Sequence, residues 1–193
     1  TSLASRARVG SNSRLPKPCV GGAVRLQMPH RPFLPSSDSE KLLPTDIHMP
    51  NLFLIRGLPG SGKTTAAESL GGLLFAADDF FTDEDGVYNF CPDYLGQAHT
   101  ECASNCKTGM QESHTVVIHN TFTQRWEMET YFQLAREFGY RVTVLSVFDG
   151  GLTDMELADR NTHGVPLDAI ERMRSRYEHD WKAGDVRPPW ERE

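Results

Sequence analysis

The hydrophobic pattern changes abruptly at Asn51. Residues 1–50 hold seven of the twelve prolines, set among Ser, Gly and Arg; directly after them comes LFLIR, a short apolar run with the length and composition of a buried strand. GLPGSGKTTAAESL follows, a glycine loop leading into a helix predicted to start near Lys63. A second apolar run, GLLFAADDFF, ends in Asp78 and Asp79. Residues 82–91 read as a turn-rich connection containing Asp85 and Gly86, and 92–110 as a helix opened by Pro92. A third strand, TVVIH at 115–119, leads to Asn120, Thr121 and Phe122. Over 124–138 the spacing of Trp126, Tyr131, Leu134 and Phe138 predicts a helix that Gly139 ends. RVTVLSVF at 141–148 is the fourth strand, and helices are predicted around 153–161 and 167–182 with the polar loop RNTHGVP between them. Strands alternating with helices predict an α/β architecture: a mostly parallel sheet with helices on both faces.

Charge reinforces the break at 50. Residues 1–50 carry seven Lys and Arg against three acids, leaving 13 basic and 23 acidic side chains for 51–193. The chain therefore divides into a basic, Pro/Ser/Arg-rich tail expected to be disordered and an acidic folded domain. The tail shares its Arg and Ser bias with mitochondrial transit peptides, but Pro16 and Pro18 interrupt an amphipathic helix, so a plain tail is preferred. The chain does not begin with Met, which is compatible with a natural start further upstream. A cytoplasmic or nuclear location is expected, with a mitochondrial one as the alternative. No run approaches the eighteen or so apolar residues of a membrane span, so no membrane partner is expected. Four cysteines without a Cys-x-x-Cys pair imply neither a zinc site nor a redox framework; Cys102 and Cys106, four apart on a predicted helix, read as small core residues.

The strongest chemical signal is the glycine loop. Gly57, Gly60, Gly62, Lys63 and Thr64 complete G-x-x-x-x-G-K-T between a strand and a helix, with Ser61 inside the loop and Thr65 just after it. Its glycines let successive N–H groups point inward, and the helix N-terminus adds unpaired amides and a favourable dipole for phosphate. Lys63 can reach β and γ phosphates, and the Thr64 hydroxyl can take one place around Mg²⁺. At the edge of the sheet, one of Asp78 and Asp79 can accept the proton of an attacking hydroxyl while the other caps the next segment or holds a metal-bound water. Arg160, in the polar loop, is the candidate for an arginine that closes over the phosphates. Arg172 and Arg176 read as a solvated helix face.

Taken in order, LFLIRGLPGSGKTT, DDFF followed by DGVYNF, WEMETY, GYRV, and RNTHGVP followed by RYEH resemble the polynucleotide kinase-like P-loop proteins. That group includes bacteriophage polynucleotide 5′-kinase and the N-terminal domain of the myelin cyclic-nucleotide phosphodiesterase, and the likeness is greatest to the kinase-like domain of Nedd-four-binding-protein-two-like proteins. The resemblance covers residues 51–180 and implies a kinase-type P-loop NTPase with a C-terminal helical lid. It implies ATP on the loop, Asp78 as general base, Lys63 and Thr64 as phosphate and magnesium residues, and Arg160 as a lid arginine. Asp79, Asn120 and Thr121 are the implied acceptor contacts, and a polynucleotide 5′-hydroxyl or a related small hydroxyl compound is the implied acceptor. Three positions depart from the pattern. His119 stands where the nearest relatives carry an acid, Phe122 replaces an asparagine, and Phe81 occupies the place of an arginine that holds the acceptor's phosphate. These departures keep a second reading open, a nucleotide-binding interaction module with a protein partner and weak or no catalysis.

Overall fold

The computed structural model describes residues 49–193. The expected tail at 1–50 lies, apart from Met49 and Pro50, outside the described residues. Four parallel strands form the sheet in the order β2-β3-β1-β4: β1 Asn51–Gly57, β2 Leu73–Phe75, β3 Val116–Asn120 and β4 Arg141–Phe148. Central β1 pairs with β3 from Leu52 opposite Val116 to Arg56 opposite Asn120, and with β4 from Asn51 opposite Arg141. The register with β4 shifts between Arg56 and Gly57, where the strand gives way to the glycine loop.

Alternation along β1 explains why both faces are covered. Leu52 and Leu54 point to one side with Val116 and Ile118, into a core closed by α2 (Leu95–Gln111) and α3 (Trp126–Phe138) through Ala98, Cys102, Cys106, Met128 and Tyr131. Ile55 and Val117 point to the other side and meet Ala67 of α1 (Lys63–Leu70). Cys102 and Cys106 are thus core residues, and burial raises both thiol pKa values, that of Cys106 to about 12, so the sulfurs stay protonated. A third core is built on the loop itself: Leu58, fully buried, meets Leu157 of α4 (Asp154–Arg160), Ile170 of α5 (Leu167–Ser175) and Tyr177. The C-terminal lid is therefore seated on the glycine loop.

Two elements differ from the sequence pattern. The second apolar run forms only a three-residue strand, and Asp78 and Asp79 fall on a 3-10 turn, Ala77–Phe81, because the Asp79 carboxylate accepts the Ala76 N–H at 2.7 Å and winds the backbone. The helix predicted over 167–182 ends at Ser175. Tyr177 leaves the helical path to pack under Arg56, and Glu178 turns back so that its N–H reaches Thr123 O at 2.7 Å while its carboxylate accepts the Arg125 N–H at 2.7 Å. Long-range partners outbid helix propensity there. Among the described residues no helix is long and apolar enough to cross a membrane.

Candidate active site

The loop's conformation is set by close backbone approaches. Gly57 N–H donates to Thr121 O at 3.1 Å and Leu58 N–H to Phe148 O at 2.7 Å, tying the loop's start to the ends of β3 and β4. A Cβ on Gly57 would lie 2.7 Å from Val147 Cγ2 and 2.8 Å from Ser61 Oγ, so the position admits no side chain. Gly60 has φ +77° and would set a Cβ 2.5 Å from Leu157 O, the backbone of the lid helix. Gly62 also has a positive φ, +93°, yet faces open space with nothing within 4 Å of a Cβ. That space lies at the N-terminus of α1, where the helix amides have no intrahelical acceptors.

The side chains around the open space suit an anion. Ser61 Oγ is buried without a hydrogen-bond partner, an expense that a phosphate oxygen would offset. Lys63 Nζ folds back to donate to Leu58 O at 2.8 Å, and burial lowers its pKa to about 8, opposed by the nearby Asp78 carboxylate. Thr64 and Thr65 stand exposed on the first turn of α1. A phosphate chain fits this set, and the exposed Thr64 hydroxyl would be the candidate ligand of a magnesium ion. Among the described residues no three His, Cys, Asp or Glu side chains cluster to cage a cation, so an ion here would need phosphates and water among its ligands.

Opposite the loop, the 3-10 turn carries Asp78. Asn120, buried at the end of β3, accepts the Ala77 N–H at 2.8 Å on its Oδ1 and directs its Nδ2 to Cys102 Sγ at 3.8 Å. Its side chain is engaged in holding the turn. Thr121 contributes its carbonyl to the loop, and Asp79 is engaged in the turn's own cap. Asp78 is left half-exposed, accepting from Tyr88 Oη at 3.3 Å and lying 4.0 Å from His163 Nε2. His119, half-buried beside these groups, has its pKa lowered by burial; the Asp79 and Asp78 carboxylates oppose the shift and Lys63 adds to it. A neutral imidazole supplies no carboxylate there.

Arg160 ends α4 with its side chain exposed and, among the described residues, without a hydrogen bond or ion pair. The loop after it is closed by Asn161, whose amide bonds Ala158 O at 2.7 Å and Val165 at both its N–H, 2.6 Å, and its O, 3.2 Å. Arg172 pairs with Asp168 on the same exposed helix face, while Arg176 Nε reaches Thr123 Oγ1 at 3.1 Å.

Sequence reasoning passed over four residues that build the site. Arg56, the lone cation in LFLIR, is fully buried: it donates to Phe122 O at 3.0 Å and Thr123 O at 3.2 Å and lies 4.2 Å above the Tyr177 ring. Burial lowers its pKa, and nearby Tyr177, Glu127 and Glu178 oppose the shift; its direct partners are the two carbonyls and the ring. Arg174 clamps the β4–α4 loop through Asp149 at 2.6 Å and Asp154 at 2.7 Å. Tyr88 and His163 frame Asp78. A cation inside an apolar strand was the available signal for Arg56, and the Asp-Gly turn at 85–86, which folds Tyr88 back opposite Thr82, was the signal for Tyr88.

Comparison with known proteins bears on the fold and the family. Human NEDD4-binding protein 2 is 36% identical over 134 residues, 66% of this chain and 8% of that protein. Rat 2′,3′-cyclic-nucleotide 3′-phosphodiesterase is 24% identical over 157 residues, 78% of this chain and 36% of the enzyme. The chain thus spans well under half the length of either relative. A chain of the Pnkp1/Rnl/Hen1 RNA repair complex shares the fold, with a TM-score of 0.57 and 19% identity over 75% of this chain and 49% of that one. Residues 52–179, nearly the whole described domain, match a family described as an AAA domain, and the chain belongs to that family, AAA_33, as a P-loop kinase-like domain.

Proposed function

We propose that the domain transfers the terminal phosphoryl group of ATP to a hydroxyl acceptor, a polynucleotide 5′-hydroxyl or a related small compound. The observation that carries this reading is the placement of Asp78, half-exposed and close enough to Lys63 to favour its ammonium, across from a loop whose buried Ser61 Oγ has no partner. An acceptor oxygen entering beside Asp78 attacks the γ phosphorus; the new P–O bond forms as the bond to the β-phosphate oxygen breaks, ADP leaves, and the hydroxyl proton passes to Asp78. Lys63 and the loop amides neutralise the phosphate oxygens, and Arg160 swings over them from the end of α4. Magnesium, held at Thr64, would add charge neutralisation on the phosphates.

The test is transfer of labelled γ-phosphate to a panel of 5′-hydroxyl oligonucleotides and small hydroxyl compounds, run beside Lys63→Met and Asp78→Asn. Labelling by wild type and its loss in both variants supports the proposal; binding of ATP without labelling of any acceptor overturns it. That second outcome would instead support a nucleotide-binding module, a reading favoured by the neutral His119 where a carboxylate would organise metal-bound water. The name of the human relative suggests a protein partner for such a module.

A further inference from the structure

The stretch of chain that carries Asp78 is poor in cations. From Thr64 to Cys106 there is neither Lys nor Arg, while eight acids fall in the same interval, Asp78 and Asp79 among them. Aromatic rings lie on and beside the turn that carries Asp78: Phe80 and Phe81 belong to it, and Tyr88 and Tyr94 pack against them. Tyr88, which donates to Asp78, lies against His163 with ring centroids 4.4 Å apart. Phe81 is buried in the core and supports Tyr88 at 6.2 Å and Phe90 at 5.0 Å, and Phe80 meets Tyr94 at 6.5 Å. Phe90 and Tyr94 are nevertheless 51% and 43% exposed. Single exposed apolar residues are ordinary; a contiguous group of rings around the turn that carries Asp78 is not.

Resting on the proposed phosphoryl transfer, we infer that these rings form a stacking platform for one base of the acceptor, recognising it as a nucleoside with a free hydroxyl through its flat face rather than through its phosphates. Every base has a π-face, so such a platform tolerates sequence. The Asp78 and Asp79 carboxylates on the same turn repel a phosphodiester chain but not an uncharged heterocycle, so recognition ends after the first nucleotide or two. Both a free nucleoside and the 5′ end of a strand present this chemistry.

The experiment measures binding of the full chain, with a non-hydrolysable ATP analogue present, to four 5′-hydroxyl ligands: a nucleoside, a trinucleotide, the same trinucleotide with an abasic first residue, and a dodecamer. The abasic ligand should bind roughly tenfold or more weakly than its intact counterpart. The dodecamer should gain less than about threefold over the trinucleotide, with a salt slope no steeper than about -1.4, the value for two phosphates. Phe90→Ala and Tyr94→Ala should each weaken the trinucleotide by about fivefold or more and leave affinity for the ATP analogue unchanged. A nucleoside bound as well as the trinucleotide identifies the free compound as sufficient; a weaker nucleoside identifies the strand end. Equal binding of abasic and intact ligands, steep gain with length, or no binding of any of the four overturns the platform, and the first two are measured on wild type, independently of how the variants fold. Base-dependent binding without phosphoryl transfer would sink the catalytic reading alone.

Discussion

The two sides of the site are built by different means. The phosphate side is a backbone structure: Gly57 and Gly60 are dictated by approaches under 3 Å to Val147, Phe148 and the backbone of Leu157, and the amides at the start of α1 supply the anion attraction. The side proposed to take the acceptor is a side-chain structure, in which Asn120 holds the turn, Tyr88 and His163 frame Asp78, and the rings of Phe80, Phe81, Phe90 and Tyr94 pack on and beside the turn. A backbone device tolerates almost no change of residue, and for that reason it leaves a strong motif. An assembly of side chains admits many solutions and leaves no comparable motif.

Mutations should separate the sides. Lys63→Met should have the largest effect, abolishing transfer and weakening ATP binding in titration calorimetry, because it removes the cation from the phosphate side. Arg160→Ala should lower kcat by about 10³ to 10⁵ if it acts as a phosphoryl-clamping arginine, with the melting temperature unchanged because its side chain is exposed and unpaired among the described residues. Asp78→Asn should lower kcat by about 10² to 10⁴ while ATP affinity stays within about twofold of wild type; a matching loss of ATP affinity would show that the two sides are not separable. Leu157→Ala tests the seat of the lid on the loop: denaturant unfolding should show a loss of about 2–5 kcal/mol, with weaker ATP binding accompanying it, since Leu157 and Leu58 share one core.

The smallest effect is a protonic one. The pKa of Lys63, lowered to about 8 mainly by burial, should rise again when phosphate charge arrives, so ATP binding between about pH 8 and 9 should take up protons and weaken as pH rises. Calorimetry in buffers of different ionisation enthalpy reads that uptake directly, and Lys63→Met should erase it. For folding the sign is opposite to that of a stabilising pair: the charged, buried Lys63 costs stability below pH 8, and the cost is relieved as pH rises from 8 toward its unfolded value of 10.5.

The backbone side was legible because its constraints are local. LFLIR, the glycines and Lys63 lie within twelve consecutive residues, and strand, loop and helix follow from period and glycine placement alone. The strand at 141–148 was equally plain from its β-branched run. The helix end at Ser175 was not, since it depends on Tyr177 meeting Arg56, a residue over a hundred positions earlier. Neither the inward turn of Asn120 nor the pairing of His163 with Asp78 leaves a trace in local spacing.

What the sequence determined by itself was the α/β P-loop frame and the phosphate cradle, because hydrogen-bonded backbone and steric limits at glycine act over a few residues and allow few alternatives. Only the tertiary structure decided which polar groups stay free. It engages Asn120 and Asp79 in the turn and leaves Asp78 and Arg160 available; it sets the Arg56 cation against carbonyls and a ring, and it leaves Phe90 and Tyr94 exposed. Those outcomes depend on burial and on partners brought together from distant positions, since a polar side chain withdrawn from water must find a partner wherever the fold provides one.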